Sequence, residues 1–308
     1  MDGCCAPGRD GAGVGAVPAA ADGAGELPTD LLDIPGGSFR MGAVGALSYD
    51  GDGEGPIHVV ELSPFRLAAR AVRNDDFAAF VESTGHVTEA ETFGWSFVFA
   101  GHLPDDFPAT RAVAQAPWWR QVHGADWRHP DGPQSDLAGR GDHPVVHVSW
   151  NDANAFCAWQ GSRLPTEAEW ERAARGGVEG RVFPWGDELE PGGAHAMNVF
   201  QGTFPAGDTG ADGFTGTAPV GTYGPNGYGA YNMTGNVWEW CSDWYSPAYY
   251  RHSAKRDPTG PANGTHRVMR GGSYLCHASY CRRYRVAARS SNTPDSSTGN
   301  LGFRVVAG

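Results

Sequence analysis

Apolar residues along this chain come in short runs, broken by glycine, proline and acidic residues. Residues 34–42, from Ile34-Pro35-Gly36-Gly37 into Ser38-Phe39-Arg40-Met41, predict a turn and then a short strand. Residues 57–62 and 64–72 carry further β-like runs. Asn74-Asp75-Asp76 offers caps for a helix with Phe77, Phe80 and Val81 on one face and a stop near Gly85. Residues 93–141 show no clear period but hold Trp95, Phe97, Phe99, Trp118, Trp119 and Trp127. So long an irregular stretch inside a domain reads as functional or ion-tied loop. Residues 144–148 predict a strand. Ser149 then caps a helix that runs through Asn154 to Trp159, turns Phe156 and Cys157 inward and ends at Gly161. Thr166 and Glu169 form a capping box, with Arg172 and Arg175 in the last turn of the helix it starts. That spacing satisfies orphan amides, which accounts for these acids without assigning them catalysis. From Gly180 onward the pattern is turns, tight loops and short strands.

Composition sharpens this picture. The 308 residues include 45 glycines, 22 prolines and 11 tryptophans, a mix that suits a loop-rich fold pinned by large aromatics. No repeat and no break in composition marks a second domain. Residues 1–28 are mostly Gly, Ala, Asp and Pro, and are expected to be a disordered tail before one domain over 29–308. A net charge of −12 argues against nucleic acid as a partner and favours basic peptides or cations. The amino terminus has no basic region followed by an apolar core, and no run of about 18 apolar residues occurs, so the expectation is a cytoplasmic protein without a membrane span.

Six cysteines stand at positions 4, 5, 157, 241, 276 and 281. Cys4 and Cys5 fall in the tail and read as exposed thiols, and Cys241 reads as a small core residue. Cys276 and Cys281 are followed closely by Arg282, Arg283, Arg285 and Arg289. Cationic neighbours favour thiolate, the nucleophilic and metal-binding form. Two soft donors without a second Cys or His pair suit Cu(I) better than structural zinc. The spacing equally fits a structural disulfide or two buried free thiols.

The stretch RGGSYLCHASYCRRYRVAARSSNTPDSSTGNLGFRV closely resembles the carboxyl-terminal signature of formylglycine-generating enzymes, also called sulfatase-modifying factors. PVVHVSWNDANAFCAWQGSRLPTEAEWERAARGG and GYGAYNMTGNVWEWCSDW match the same family, and the resemblance covers about residues 30 to 308. It implies a single α+β domain, C-type-lectin-like and low in regular secondary structure. It also implies a copper-dependent oxidase that uses dioxygen to turn the cysteine of a Cys-x-Pro-x-Arg motif, in an unfolded or nascent sulfatase, into Cα-formylglycine.

By the same resemblance Cys276 and Cys281 hold the copper, and Ser273 lines the oxygen pocket beside Trp238. Tyr280 and Arg283 flank the second thiol, while Trp95, Ser96, Trp118 and Trp119 fall in the peptide groove. Relatives with an acidic residue in place of Trp95 leave the anchor for the client's arginine unidentified here. The family pattern places one calcium at Asn198, Val199, Asp212 and Phe214, and another at Asn232, Gly235, Val237 and Glu239. Asp/Asn/Gly runs of this kind are on their own ordinary turns. Secreted animal relatives carry two disulfides. Here the position paired with Cys157 is Val305, and the other pair is Ala174 and Val286, so Cys157 is expected to be a buried free thiol. His277 reads as a structural neighbour. The rival readings are a non-catalytic ligand-binding module of the same fold and a thiol–disulfide oxidoreductase.

Overall fold

A computed structural model describes residues 6–9 and 25–308. Four α-helices, α1 (Asn74–Thr84), α2 (Glu89–Phe93), α3 (Trp150–Gln160) and α4 (Glu167–Arg175), sit among short strands and long connecting loops. The fold is α+β, as the resemblance implies.

Two four-stranded sheets hold the chain together. In the first, Leu31–Ile34 pairs with Phe65–Ala68, which pairs with Val306–Ala307, which pairs with Ser162–Arg163, all antiparallel. This sheet ties the start of the domain to its end. In the second, Arg289–Asn292, Arg267–Arg270 and Trp238–Trp244 run antiparallel, and Leu301–Gly302 joins Trp238–Trp244 in parallel. Gly37–Met41 and His58–Leu62 form a separate hairpin, one strand on each side of the loop that carries Asp52 and Glu54.

Helices form where local signals agree. Ser149 accepts from Asp152 N and opens α3, while Gly161 closes it in the left-handed conformation. α1 is capped one residue earlier than the sequence suggests, with Arg73 at the N-cap and Asp76 accepting from its backbone. Phe77 and Phe80 of α1 meet Phe156 of α3 in one buried aromatic cluster. Each such ring contributes about 1.5–3 kcal/mol by leaving water.

Two expectations fail. Residues 93–141 are not simply an irregular loop: Trp95–Phe99, Arg111–Val113 and Ala116–His123 form a three-stranded antiparallel sheet, with α2 before it. Aromatic residues on both of its faces hide the two-residue period. Residues 144–148 form no strand. They are held by single links, Val145 N donating to Val72 O and His147 N donating to Thr298 O.

The described part of the tail also departs from expectation. Ala6 and Arg9 are buried against the domain, while Cys4, Cys5 and residues 10–24 lie outside the described residues. Among the described residues, no helix is long and apolar enough to cross a membrane.

Candidate active site

The two thiols sit in an irregular loop that leaves strand Arg267–Arg270 through Gly271 and Gly272. Gly272 has φ +75°, and a Cβ there would lie 2.8 Å from the Tyr284 Cα. Only glycine lets the outgoing chain pass so close to the returning one. Two turns then bring the sulfurs together. Cys276 N donates to Ser273 O, and Cys281 N donates to His277 O at 2.7 Å. The result places the Cys276 Sγ 3.4 Å from the Cys281 Sγ, with both side chains buried.

The loop is anchored on both sides. Tyr274 N donates to Asn236 O, and Phe200 N donates to Cys276 O. Ser273 N points at the Cys276 Sγ from 3.4 Å. The Ser273 Oγ accepts from Asn300 Nδ2 at 2.9 Å and from Leu275 N at 3.3 Å. Trp238, fully buried, belongs to the same apolar cluster as both cysteines. Tyr280 stacks on Phe204 at 4.5 Å and meets Trp118 edge-on at 4.7 Å. His277 turns aside to Ser279, consistent with a structural role.

The arginines that follow the thiols serve mostly other ends. Arg285 forms a two-pronged pair with Glu54, and Arg289 another with Glu167. Arg283 pairs with Asp52 and reaches the Cys281 Sγ at 3.9 Å. The expectation that this basic run favours thiolate therefore needs correction for Cys276. Burial pushes that thiol well above the usual range, the Cys281 sulfur adds to the rise, and Arg283 opposes it only in part. A soft metal that displaces the proton is a stronger route to the sulfur anion.

The donor set suits such a metal. Two sulfurs lie side by side, and among the described residues no group of three or more His, Cys, Asp or Glu side chains could hold an ion. The remaining described thiols are inert by burial. Cys157 is pushed up to about 12, and Cys241 well above the usual range. Val305 lies in the same cluster as Cys157, while Ala174 and Val286 share another, so packing fills the positions that bridges occupy elsewhere. All four described cysteines are free.

The groove residues divide. Trp95 is partly exposed at the start of its strand. Ser96 is buried beside Ser297, and its hydroxyl lies 2.7 Å from His147 Nδ1. Burial depresses His147 to about 4, so its ring is neutral at pH 7. With Nε2 facing the Pro130 carbonyl, Nδ1 is the acceptor for Ser96. Trp118 and Trp119 are strand neighbours and point oppositely. Trp118 reaches Tyr280, whereas Trp119 is wholly buried among Phe97, Phe99 and Leu275 and is core, not groove wall.

The two loops expected to hold calcium differ. Asn198 Oδ1 is buried without a hydrogen-bond partner. Asp212 accepts from Val199 N at 2.9 Å and Phe214 N at 3.3 Å, and burial pushes its carboxyl up. An orphan amide oxygen and a desolvated carboxylate beside the same backbone suit a hard cation. In the other loop Glu239 accepts two bonds from Arg304, at 2.6 and 2.7 Å, and one from Trp170 Nε1. Asn232 Nδ2 donates to Val220 O. An ion near Gly235 and Val237 would have to share Glu239 with Arg304.

Sequence reasoning passes over Asn300, Asp52 and Asp295. Asn300 lies inside the NLGF signature, which is the one signal that could have drawn attention to it. The other two are distant in sequence from the partners they serve.

The profile of the sulfatase-modifying factor enzyme 1-like domain matches residues 19–308. The Streptomyces coelicolor protein named formylglycine-generating enzyme is 60% identical over 274 residues, covering 88% of this chain and 87% of its own. Its Thermomonospora curvata counterpart is 56% identical over 286 residues, covering 92% and 94%. A Bos taurus protein named inactive C-alpha-formylglycine-generating enzyme 2 is 45% identical over 285 residues, covering 91% and 88%. The solved structure of PvdO from Pseudomonas aeruginosa shares the fold, with a TM-score of 0.63 at 24% identity over 90% of this chain and 93% of that one. On this evidence of sequence and shape, the chain belongs to the sulfatase-modifying factor, or formylglycine-generating enzyme, family.

Proposed function

We propose that this protein converts the cysteine of a Cys-x-Pro-x-Arg segment in a sulfatase to Cα-formylglycine, with dioxygen as oxidant and Cu(I) held by Cys276 and Cys281. The observation that carries the reading is the pair of buried sulfurs 3.4 Å apart in a chain closely similar to proteins named for this activity. Kinship alone does not decide activity, since an inactive relative also aligns over nearly the full length. The site must therefore supply the argument.

When bound, copper supplies the electron exchange with dioxygen that no protein side chain here offers. The chain's own residues do the rest. Turns at Ser273–Cys276 and His277–Cys281 fix the two sulfurs before any metal arrives. The Ser273 hydroxyl has both lone pairs engaged by Asn300 and Leu275, which leaves its proton available to donate. Arg283, steadied by Asp52, places positive charge beside the Cys281 sulfur. The neighbouring aromatic group of Trp118, Tyr280 and Phe204 offers stacking surfaces for a peptide. On the client, the Cβ–H and S–H bonds give up two protons and two electrons, which reduce one dioxygen to hydrogen peroxide and leave a C=S bond. Water then adds at that carbon, and the sulfur departs as hydrogen sulfide to leave the aldehyde. A structural Ca2+ at Asn198, Val199, Asp212 and Phe214 would brace the loop that donates Phe200 N to Cys276 O.

The test is aldehyde formation on a Cys-x-Pro-x-Arg peptide, read by mass spectrometry after hydrazide capture. The expected result is conversion with Cu(I) in air and none without oxygen. An absence of aldehyde from copper-loaded protein in air would end the proposal.

A further inference from the structure

The amino terminus reads Cys5-Ala6-Pro7-Gly8-Arg9, which has the Cys-x-Pro-x-Arg spacing of the proposed client. Residues 6–9 do not stand away from the domain. Ala6 is 5% exposed and packs into the apolar core of the domain. Asn292 Nδ2 donates to the Ala6 and Pro7 carbonyls, at 3.1 and 3.2 Å. A Cβ on Gly8 would lie 2.7 Å from Asn292 Oδ1, so the segment is seated closely against this side chain.

Arg9 is the best held of the four. It is 4% exposed. Its backbone N donates to the Ser296 Oγ at 2.8 Å, and its Nε donates to Asp295 O at 3.1 Å. Nη2 donates to Trp95 O and to the Ser297 Oγ, both at 2.9 Å. The guanidinium lies over the rings of Phe93 and Trp95, at 4.2 Å from each centroid. Arginine suits this seat because its planar fork can donate in several directions while its faces stack on aromatics. Burial lowers its pKa to about 10, which leaves it charged at neutral pH, and Asp295 is the leading countercharge. Both Asp295 carboxylate oxygens are buried and lack a hydrogen-bond partner.

The seat contains Trp95 and reaches Ser96 through Ser297, two residues of the expected peptide groove. We infer that residues 6–9 are an intramolecular mimic of the client's x-Pro-x-Arg: they occupy the client groove of their own chain, with Arg9 in the client arginine's seat. The inference rests on the proposed function for the identity of the client. It adds that clients bind only in competition with the tail, and that Asp295, Ser297, Phe93 and Trp95 receive their arginine.

The apparent affinity for a client is reduced by the fraction of molecules whose groove is open. If about one molecule in ten is open, removing the mimic tightens binding about tenfold. The experiment uses the full-length chain and a fluorescein-labelled Ser-x-Pro-x-Arg peptide, which binds without being oxidised, with anisotropy as readout. Arg9→Ala is expected to tighten binding about tenfold, and Arg9→Lys by less, because lysine keeps the charge but loses the fork. A Ser-x-Pro-x-Ala peptide should bind weakly to every variant. Equal affinity of the wild type and Arg9→Ala for the arginine peptide would overturn the inference. Because binding is read without turnover, this result is independent of whether the cysteine peptide is converted.

Discussion

Asn300 donates from Nδ2 to the Ser273 Oγ at 2.9 Å, joining the end of the second sheet to the loop of the two thiols. A second bond, from Leu275 N, fills the other lone pair. The Ser273 hydroxyl is thereby left with its own proton to donate. Ser273→Ala should lower kcat by about 10²-fold, the loss typical of one positioned donor, with little change in peptide affinity. The check is a comparison of kcat with the anisotropy Kd. An unchanged kcat would reduce Ser273 to a turn residue.

The Glu239–Arg304 pair is wholly buried, with side chains 2% and 0% exposed. Removing one partner strands a charge, whereas removing both leaves a neutral pair of holes. Arg304→Met should destabilise the protein by about 3–5 kcal/mol, and Glu239→Gln combined with Arg304→Met should recover part of that loss. Urea denaturation of both variants tests this. Equal destabilisation would mean that Glu239 carries no unpaired charge, as expected if a cation neutralised it instead.

Asp243 is an acid whose ionisation its surroundings oppose. Burial first, and the neighbouring Glu167 second, push its carboxyl from 3.8 up to about 7. The folded state therefore binds a proton that the unfolded state releases, and this contribution is present below about pH 4 and lost as pH rises toward 7. Asp243→Asn keeps an acceptor for Glu167 N without the charge. Relative to wild type, the variant should gain stability between pH 4 and pH 8, by up to about 4 kcal/mol. Thermal melts across that range would show the gap widening, and a constant gap would contradict the assignment.

The orphan oxygen of Asn198 beside Asp212 predicts a response to chelation. If calcium ties this loop, removing it lowers Tm, and added Ca2+ restores it in proportion to occupancy. Asp212→Asn should abolish most of that shift without touching the cysteine loop directly. A Tm indifferent to chelator in wild type would mean that the loop holds without an ion.

Much of the fold is legible where the signal is local. The capping box of Thr166 and Glu169 spans three residues and forms as read, with Thr166 accepting from Glu169 N and Glu169 from Thr166 N. The neighbouring Glu171 has a local partner in Arg175, four residues on. Its other partner, Arg270, and both partners of Glu167, Arg270 and Arg289, lie about a hundred residues away, and only the folded chain brings these charges together. The sheet over Trp95–Phe99 is hidden for a different reason: after Trp95 it is buried on both faces, so no alternation marks it.

The site shows the same division. The sulfur pair and Ser273 are readable from one short motif, and Trp238 from another. The arginines that follow look from sequence like thiolate supports, but most of them neutralise buried carboxylates. Trp118 and Trp119 cannot both face a groove, because consecutive strand residues point oppositely. The tail is the largest departure. Composition alone predicts disorder there, whereas Arg9, in its described part, stacks on Phe93 and Trp95 and donates to the Asp295 carbonyl.

The central claim is that Cys276 and Cys281 together perform the chemistry. Its most direct test is the rate of aldehyde formation on a Cys-x-Pro-x-Arg peptide, measured in air with Cu(I) for the wild type, Cys276→Ser and Cys281→Ser. The account predicts steady conversion by the wild type and a loss of at least about 10³-fold in each variant, because neither sulfur works alone. A serine variant that converts the peptide at the wild-type rate would contradict it.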